Sequence, residues 1–315
     1  DFILLIGSNP RYEATILNSR IRKAYLENKT KIISLNDVDD LTYPYESLDG
    51  DIENIKKIAE DSHEVSSLIK AAKKPLIIFG QSSLKTKSAK YIFESVKSFL
   101  KKNDKISDEW NSLNTISENA STVGSFDLGL YKTVDGSNEV LKDLENNMFE
   151  IVYLLGVDNL KFEKKNEFII YQGSHGDKGA EIADIILPGA AYTEQNGYFT
   201  NLEGKIQKAY KASFPPEEAK EDWLIINELA ETMNHRKLFN DKDELDSSLL
   251  NQINLFIEKD KSIKSSTVEN VEFKQEILKV ENEDYYYSNA IARASKTMLE
   301  CKTAKVNLKL TGTEG

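Results

Sequence analysis

Three short stretches of this chain carry residue types and spacings that suit chemistry at the end of a β-strand. Gly7-Ser8-Asn9-Pro10-Arg11 lies between an apolar run and a helical pattern. Glycine there permits close approach, free N–H groups at a helix start favour an anion, and Arg11 adds positive charge. The same residues also make an ordinary βα turn with Asn9 as N-cap, since the spacing is neither a dinucleotide fingerprint nor a phosphate loop. Gly173-Ser174-His175-Gly176-Asp177-Lys178-Gly179 follows another apolar run. It either cradles a phosphate and presents His175 as an acid or base, or it is a flexible turn. Glu194, Asn201, Glu203 and Lys205 cluster after the stop at Leu187-Pro188, around a polar hairpin at Glu203-Gly204. Ligands of open α/β sheets bind beyond the carboxyl ends of strands; the alternative is a hydrogen-bonded hairpin that pins its loop to the sheet.

Other chemistries are poorly served. Cys301 is the only cysteine among 315 residues. One thiol cannot close an internal disulfide or hold an iron–sulfur cluster, which typically takes four. His63, His175 and His235 are widely spaced and form no metal-binding pair. The formal net charge of −11 argues against a general nucleic-acid binder, because phosphates need a basic face. No apolar run approaches the roughly 20 residues of a membrane-spanning helix. Residue 1 is Asp and the chain opens directly into a strand pattern, which reads as a fragment.

The elements that must position these residues alternate. Apolar, β-rich runs cover Phe2–Ile6, Lys31–Leu35, Pro75–Phe79, Ile151–Leu155, Phe168–Tyr171 and Ile182–Leu187, several ending in glycine. Runs of this kind suit strands buried on both faces. Helical patterns cover 10–28, 52–72 and 84–102, and residues 108–120 also read as helical. Ser121–Gly136 reads as loop. A helix is expected from Pro215-Pro216, with Ala219, Trp223, Ile226, Ala230 and Met233 as its apolar stripe. Asp241–Lys259 reads as a helix, Lys261–Glu269 as linker, Val271–Val280 as a strand, Tyr285–Cys301 as a last helix and Lys302–Gly315 as a mobile end. The expected fold is α/β, with mainly parallel open sheets and helices on both faces. The expected division is an α/β region over 1–235 and a polar, partly helical extension over 236–315.

The string Ala183-Asp184-Ile185-Ile186-Leu187-Pro188-Gly189-Ala190-Ala191-Tyr192-Thr193-Glu194, continued by Asn201-Leu202-Glu203-Gly204-Lys205-Ile206-Gln207, resembles a signature of the molybdopterin oxidoreductase superfamily. Leu5 to Lys23, Tyr171 to Asp177, Glu221-Asp222-Trp223 and Ile291 to Met298 extend the resemblance. Together they are most similar to the large iron–sulfur subunit of respiratory complex I. In the wider superfamily, the first stretch belongs to a half that binds a pterin-guanine dinucleotide. Two departures bear on that role. Ser174 stands where the family string YQGHHGD has a histidine, and Lys205 stands where arginine is usual; lysine lacks the planar bidentate fork. The resemblance therefore implies a cofactor-free scaffold. Gly7, Asn9, Arg11, Gly173, His175, Gly176, Asp177, Glu194, Asn201, Glu203 and Lys205 would be a vestigial pocket with no catalytic or metal-binding role. It also implies iron–sulfur clusters in an upstream half. The implied partners are that half and other peripheral-arm subunits, without direct membrane insertion, at the cytoplasmic face of a bacterial inner membrane or the matrix side of the mitochondrial one. The rivals are a formate dehydrogenase-like molybdoenzyme, which would continue into a β-rich cofactor domain, and a nucleotide-binding α/β module.

Overall fold

The computed structural model describes residues 1–117, 119–130, 140–157, 163–260, 272–281 and 284–311. They fall into two compact units, Asp1–Ala120 with Lys264–Glu283, and Ser121–Ile263 with Asp284–Gly315.

In the first unit, β1 (Phe2–Ile6) leads through α1 (Pro10–Glu13) and α2 (Thr15–Asn28) to β2 (Lys31–Ser34) and β3 (Glu46–Ser47). The chain continues through α3 (Glu53–Ala59), α4 (Glu64–Ala71), β4 (Pro75–Phe79), α5 (Gln81–Leu84), α6 (Ala89–Lys102) and β5 (Leu113–Thr115). All five strands are parallel, in the order β3-β2-β1-β4-β5. The side-chain period of two divides the core. Phe2, Leu4, Ile6, Ile33, Ile77 and Phe79 face a layer built by α3, α4 and α6. Ile3, Leu5, Ile32 and Ile78 face Ile21 of α2 and the loop residues Val38, Leu41 and Tyr43. Both faces are covered, which is why these runs are apolar without alternation. Each fully buried Leu or Ile contributes roughly 1.5–3 kcal/mol.

The second unit contains α7 (Thr122–Asp127), α8 (Val140–Glu145), β6 (Ile151–Leu155), β7 (Phe168–Gly173), α9 (Lys178–Glu181) and β8 (Ile185–Pro188). A hairpin of β9 (Gly197–Thr200) and β10 (Ile206–Ala209) follows, then α10 (Asp222–Asn234) and α11 (Lys242–Asp260). A 3₁₀ turn at Tyr285–Tyr287, α12 (Ala290–Ala294) and α13 (Lys296–Thr311) complete it. Strands β6, β7 and β8 form a second parallel sheet. Leu154, Ile169 and Tyr171 pack under Ala180, Ile182 and Ala183 on one face. On the other, Ile151, Leu155, Phe168 and Ile185 are exposed, so burial on both faces holds for the first sheet only.

Local expectations are corrected in several places. Of residues 108–120 the described ones, all but 118, are not helical: Leu113–Thr115 is the edge strand β5, paired with β4, and the Trp110 indole donates to the Pro75 carbonyl at 3.1 Å. Ser121–Gly136 is not all loop, because α7 lies within it; positions 131–136 fall outside the described residues. The pattern over 10–28 breaks at Ala14, whose φ of −152° is extended. That over 52–72 breaks at Asp61, in the left-handed region at φ 60°. The pattern over 84–102 is helical only from Ala89, as α6; Leu84 ends α5 and residues 85–88 turn between them. The helix expected from Pro215 starts at Asp222, because Lys220 first pairs with Gly189 and extends the edge of β8. Its buried face is Ile225 and Asn227, while Met233 is exposed and Trp223 half-buried. Residues 272–280 make one bridge, Asp51 to Ile277, rather than a strand. Tyr285–Cys301 is a 3₁₀ turn and two helices, and α13 carries order through Thr311, beyond where a mobile end is expected. The linker Lys261–Glu269 and residues 312–315 lie outside the described residues.

Gly7 and Gly204 both adopt positive φ, +61° and +77°, but in different surroundings. A Cβ on Gly7 would lie 2.7 Å from the Ser83 backbone nitrogen, whereas one on Gly204 meets nothing within 4 Å. Gly7→Ala is therefore expected to cost about 2–5 kcal/mol from strain and overpacking together, and Gly204→Ala about 1 kcal/mol from strain alone. Urea unfolding of the two variants checks this; equal losses would show that close approach is not what position 7 requires.

Candidate functional site

The strand order of the first unit reverses between β1 and β4, and such a switch point opens a crevice at the carboxyl edge where dinucleotides bind. Gly7, Asn9 and Arg11 all stand there, after β1. Asn9 caps α1: its side chain accepts from the Arg11 N–H at 3.2 Å and donates to the Val38 carbonyl at 3.0 Å. The Arg11 guanidinium is spent on Asp40, with 2.7 Å to its carbonyl and 2.8 Å to its carboxylate. The Thr42 N–H and then that guanidinium hold the Asp40 carboxyl below its ordinary range. Glu13 turns back over the helix start and accepts from the Asn9 N–H at 2.6 Å and the Ser8 hydroxyl at 3.3 Å. A carboxylate of the chain's own thus takes the donors that a phosphate would need.

The remaining predicted residues belong to the second unit. Gly173, Ser174, His175 and Glu194 line a cleft of about 690 Å³ at the carboxyl ends of β7 and β8. Among the described residues its lining carries three glutamates, Glu194, Glu217 and Glu218, and neither lysine nor arginine. That charge repels a pyrophosphate. Glu194 accepts from the Ala191 N–H at 2.9 Å, and His175 Nδ1 lies 3.0 Å from the Ser174 hydroxyl. The Tyr171 hydroxyl donates to the His175 carbonyl at 2.8 Å, which stiffens the Gly173–Gly176 turn from beneath. Asn201 organises the hairpin, accepting from the Glu203 and Lys205 N–H groups at 3.0 and 2.9 Å. The Glu203 and Lys205 side chains are exposed. Here the hairpin contacts are the ones made, and among the described residues lining the cleft there is no lysine or arginine to meet a phosphate.

Asp177 is the exception to this looseness. It caps α9, accepting from the Lys178 N–H at 2.8 Å, and its second oxygen accepts from Arg293 Nε at 2.6 Å. Arg293 also donates to the Tyr287 carbonyl at 3.1 Å. Burial raises the Asp177 carboxyl, but the hydrogen bonds from Arg293 and Lys178 and their charges outweigh it, so the group sits below its ordinary range. A second polar cluster went unnoticed in the sequence. The buried Gln172 amide donates to Asp222 at 2.8 Å, and Gln195 donates to the other Asp222 oxygen at 2.8 Å. The Tyr153 hydroxyl donates to Gln172. The signal was available: Gln172 ends an apolar run, where a buried amide needs a partner.

Among the described residues, no cluster of three or more His, Cys, Asp or Glu is placed to hold a metal ion. No described helix is long and apolar enough to cross a membrane. His63 caps α4, His235 ends α10 in the left-handed region, and Cys301 is exposed.

Comparison with known proteins places this arrangement. The family model described as molybdopterin oxidoreductase matches residues 1–232. The chain belongs to the molybdopterin oxidoreductase family. A second model, for the C-terminal region of the G subunit of NADH-ubiquinone oxidoreductase, matches residues 254–301. Similar curated proteins include the NADH-ubiquinone oxidoreductase 75 kDa subunit of Reclinomonas americana, 36% identical over 96% of this chain and 45% of that protein. The G subunit of the NADH-quinone oxidoreductase of Rickettsia bellii is 36% identical over 99% of this chain and 45% of its own length. The mitochondrial 78 kDa subunit of Neurospora crassa is 36% identical over 97% and 42%. The chain thus spans about 45% of the length of the first of these relatives. For a member of the molybdopterin oxidoreductase family, the residues present do not fit the dinucleotide: Glu13 covers the α1 start, and the second cleft is lined with glutamates.

The Asp177–Arg293 pair carries a pH signature. A carboxyl held low in the folded chain contributes stability that is fully present above its unfolded value, about 3.9, and is lost as pH falls through the lower folded value. Arg293→Gln is expected to cost about 1–2 kcal/mol near neutrality. The difference from wild type should shrink on approaching about pH 3. Urea unfolding at the two pH values measures it; a difference independent of pH would mean that Arg293 acts by packing alone.

Proposed function

We propose that this chain is part of the large iron–sulfur subunit of respiratory complex I, the NADH:quinone oxidoreductase, and that it serves there as scaffold. The observation that carries the reading is the joint match: a molybdopterin oxidoreductase model over 1–232, followed by the NADH-ubiquinone oxidoreductase C-terminal model over 254–301. The proposed division of the chain at 235/236 falls between those two matches. In this reading the whole subunit passes electrons from the NADH-oxidising unit toward quinone through clusters held in its upstream half. Residues 1–315 hold no cofactor and no catalytic group, and the eleven pocket positions are vestigial. The support is chemical: the donors at Asn9 and Ser8 already serve Glu13, and Arg11 already serves Asp40. The partners are the cysteine-rich upstream half and other peripheral-arm subunits. The place is the cytoplasmic face of a bacterial inner membrane, or the matrix side in a mitochondrion.

The test is co-purification with the cysteine-rich half, together with metal analysis of the assembled subunit. The expected result is stable association, no stoichiometric molybdenum or tungsten, and neither cluster absorbance nor NADH oxidation from residues 1–315 alone. About one molybdenum or tungsten per chain would return the chain to the molybdoenzymes. Failure to associate would remove the scaffold role.

A further inference from the structure

The crevice at the switch point of the first unit is not open. Residues 272–281, far from it in sequence, run along the carboxyl edge of the five-stranded sheet. Leu278 is 4% exposed and joins the core beneath α3, α4 and α6, with its Cδ2 2.8 Å from where a Cβ on Gly7 would stand. Two residues on, Val280 packs against the core on the opposite face of the same sheet. The segment therefore crosses the edge from one helical layer to the other.

Its backbone takes up several of the polar groups at the strand ends, though Ser34 Oγ and Asn36 Oδ1 stay buried without a partner among the described residues. The Leu278 N–H donates to the Gly50 carbonyl at 2.8 Å, and the Leu278 carbonyl accepts from the Asn36 amide, just past β2, at 2.6 Å. The Glu281 N–H donates to the Ser82 hydroxyl, just past β4, at 3.0 Å. Upstream, Ser88 Oγ both accepts from the Lys274 N–H and donates to the Lys274 carbonyl, at 2.8 and 2.9 Å. Phe273 packs against Tyr91 with the rings tilted at 56° and their centroids 5.1 Å apart. What remains beside the segment is a recess of about 470 Å³ whose lining, among the described residues, carries Asp37 and Asp49 against one cation, Lys279, a net negative charge that disfavours a phosphate.

We propose that residues 272–281 are a resident peptide occupant of the crevice. They contact the ends of β1, β2 and β4, which a dinucleotide spans in sheets of this order, and they keep the crevice closed. The apolar plug is Leu278, and the flanking backbone satisfies groups that a ligand's ribose and phosphates would otherwise meet. The contacts all lie within one unit, so the plug stands or falls apart from the complex I reading.

Guanosine diphosphate is the probe, and the whole 315-residue chain is the protein. Wild type is expected to show no binding by calorimetry at roughly 1 mM, and to resist trypsin at Lys274 and Lys279. Leu278→Asp should raise cleavage at those two lysines roughly tenfold or more, with cleavage in the β9–β10 hairpin of the other unit unchanged. A synthetic peptide of residues 272–281 added to that variant should lower guanidine sensitivity of the first unit, and the same peptide carrying Leu278→Asp should not. If Leu278→Asp does not fold, Leu278→Ala and Ser82→Ala supply the cleavage comparison. The proposal is overturned if wild type binds the nucleotide with the segment still protected, or if these variants leave cleavage at Lys274 and Lys279 unchanged.

Discussion

The first unit depends on covering the carboxyl edge of a parallel sheet. All five strands point the same way, so their ends leave carbonyls, N–H groups and a central crevice on one side. A buried orphan among them costs about 1–3 kcal/mol. Leu278 against Gly7, with its backbone held by Gly50 and Asn36, narrows the crevice and satisfies the Gly50 carbonyl and the Asn36 amide N–H in one segment, while Ser34 Oγ and Asn36 Oδ1 stay buried without a hydrogen bond among the described residues. Gly7 must lack a side chain because Ser83 and Leu278 close on it.

The second unit uses the same logic with a charge. Its turn after β7 is fixed by Tyr171 below and by Arg293 on Asp177. Both devices draw on the last part of the chain, residues 272–281 for one unit and 284–311 for the other, within or beside the region matched by the NADH-ubiquinone oxidoreductase C-terminal model. On the proposal made above, residues 272–281 complete the carboxyl edge of the first unit's sheet. The carboxylates of Glu13, Glu194, Glu217 and Glu218 stand where an anionic ligand would demand donors or cations.

Much of the fold was legible because continuous apolar runs such as Phe2–Ile6 and Pro75–Phe79 leave neither face of a strand for water, and a parallel sheet covered on both sides satisfies that. The Glu203-Gly204 hairpin was legible from turn chemistry. What failed was decided by distant partners. Leu113–Thr115 is a strand only because β4 offers an open edge, and Lys220 delays α10 only because β8 does. Of the candidate site, the turns at Gly7 and Gly173 were found. The partners that neutralise them were not: Arg293 on Asp177 and Leu278 on Gly7 join positions 116 and 271 apart, which no local pattern records, whereas Glu13 over Asn9 is only four residues on and was open to a capping argument.

The central claim is that residues 272–281 belong to the first unit as fully as its strands do. Native-state hydrogen exchange at the amides of Leu278 and of Leu4 measures this directly. The account predicts that both open only with the unit as a whole, with free energies equal to within about 1 kcal/mol. A Leu278 amide that exchanges with an opening free energy several kcal/mol below that of Leu4 would contradict it, making the segment a loose cover over a sheet that is stable without it.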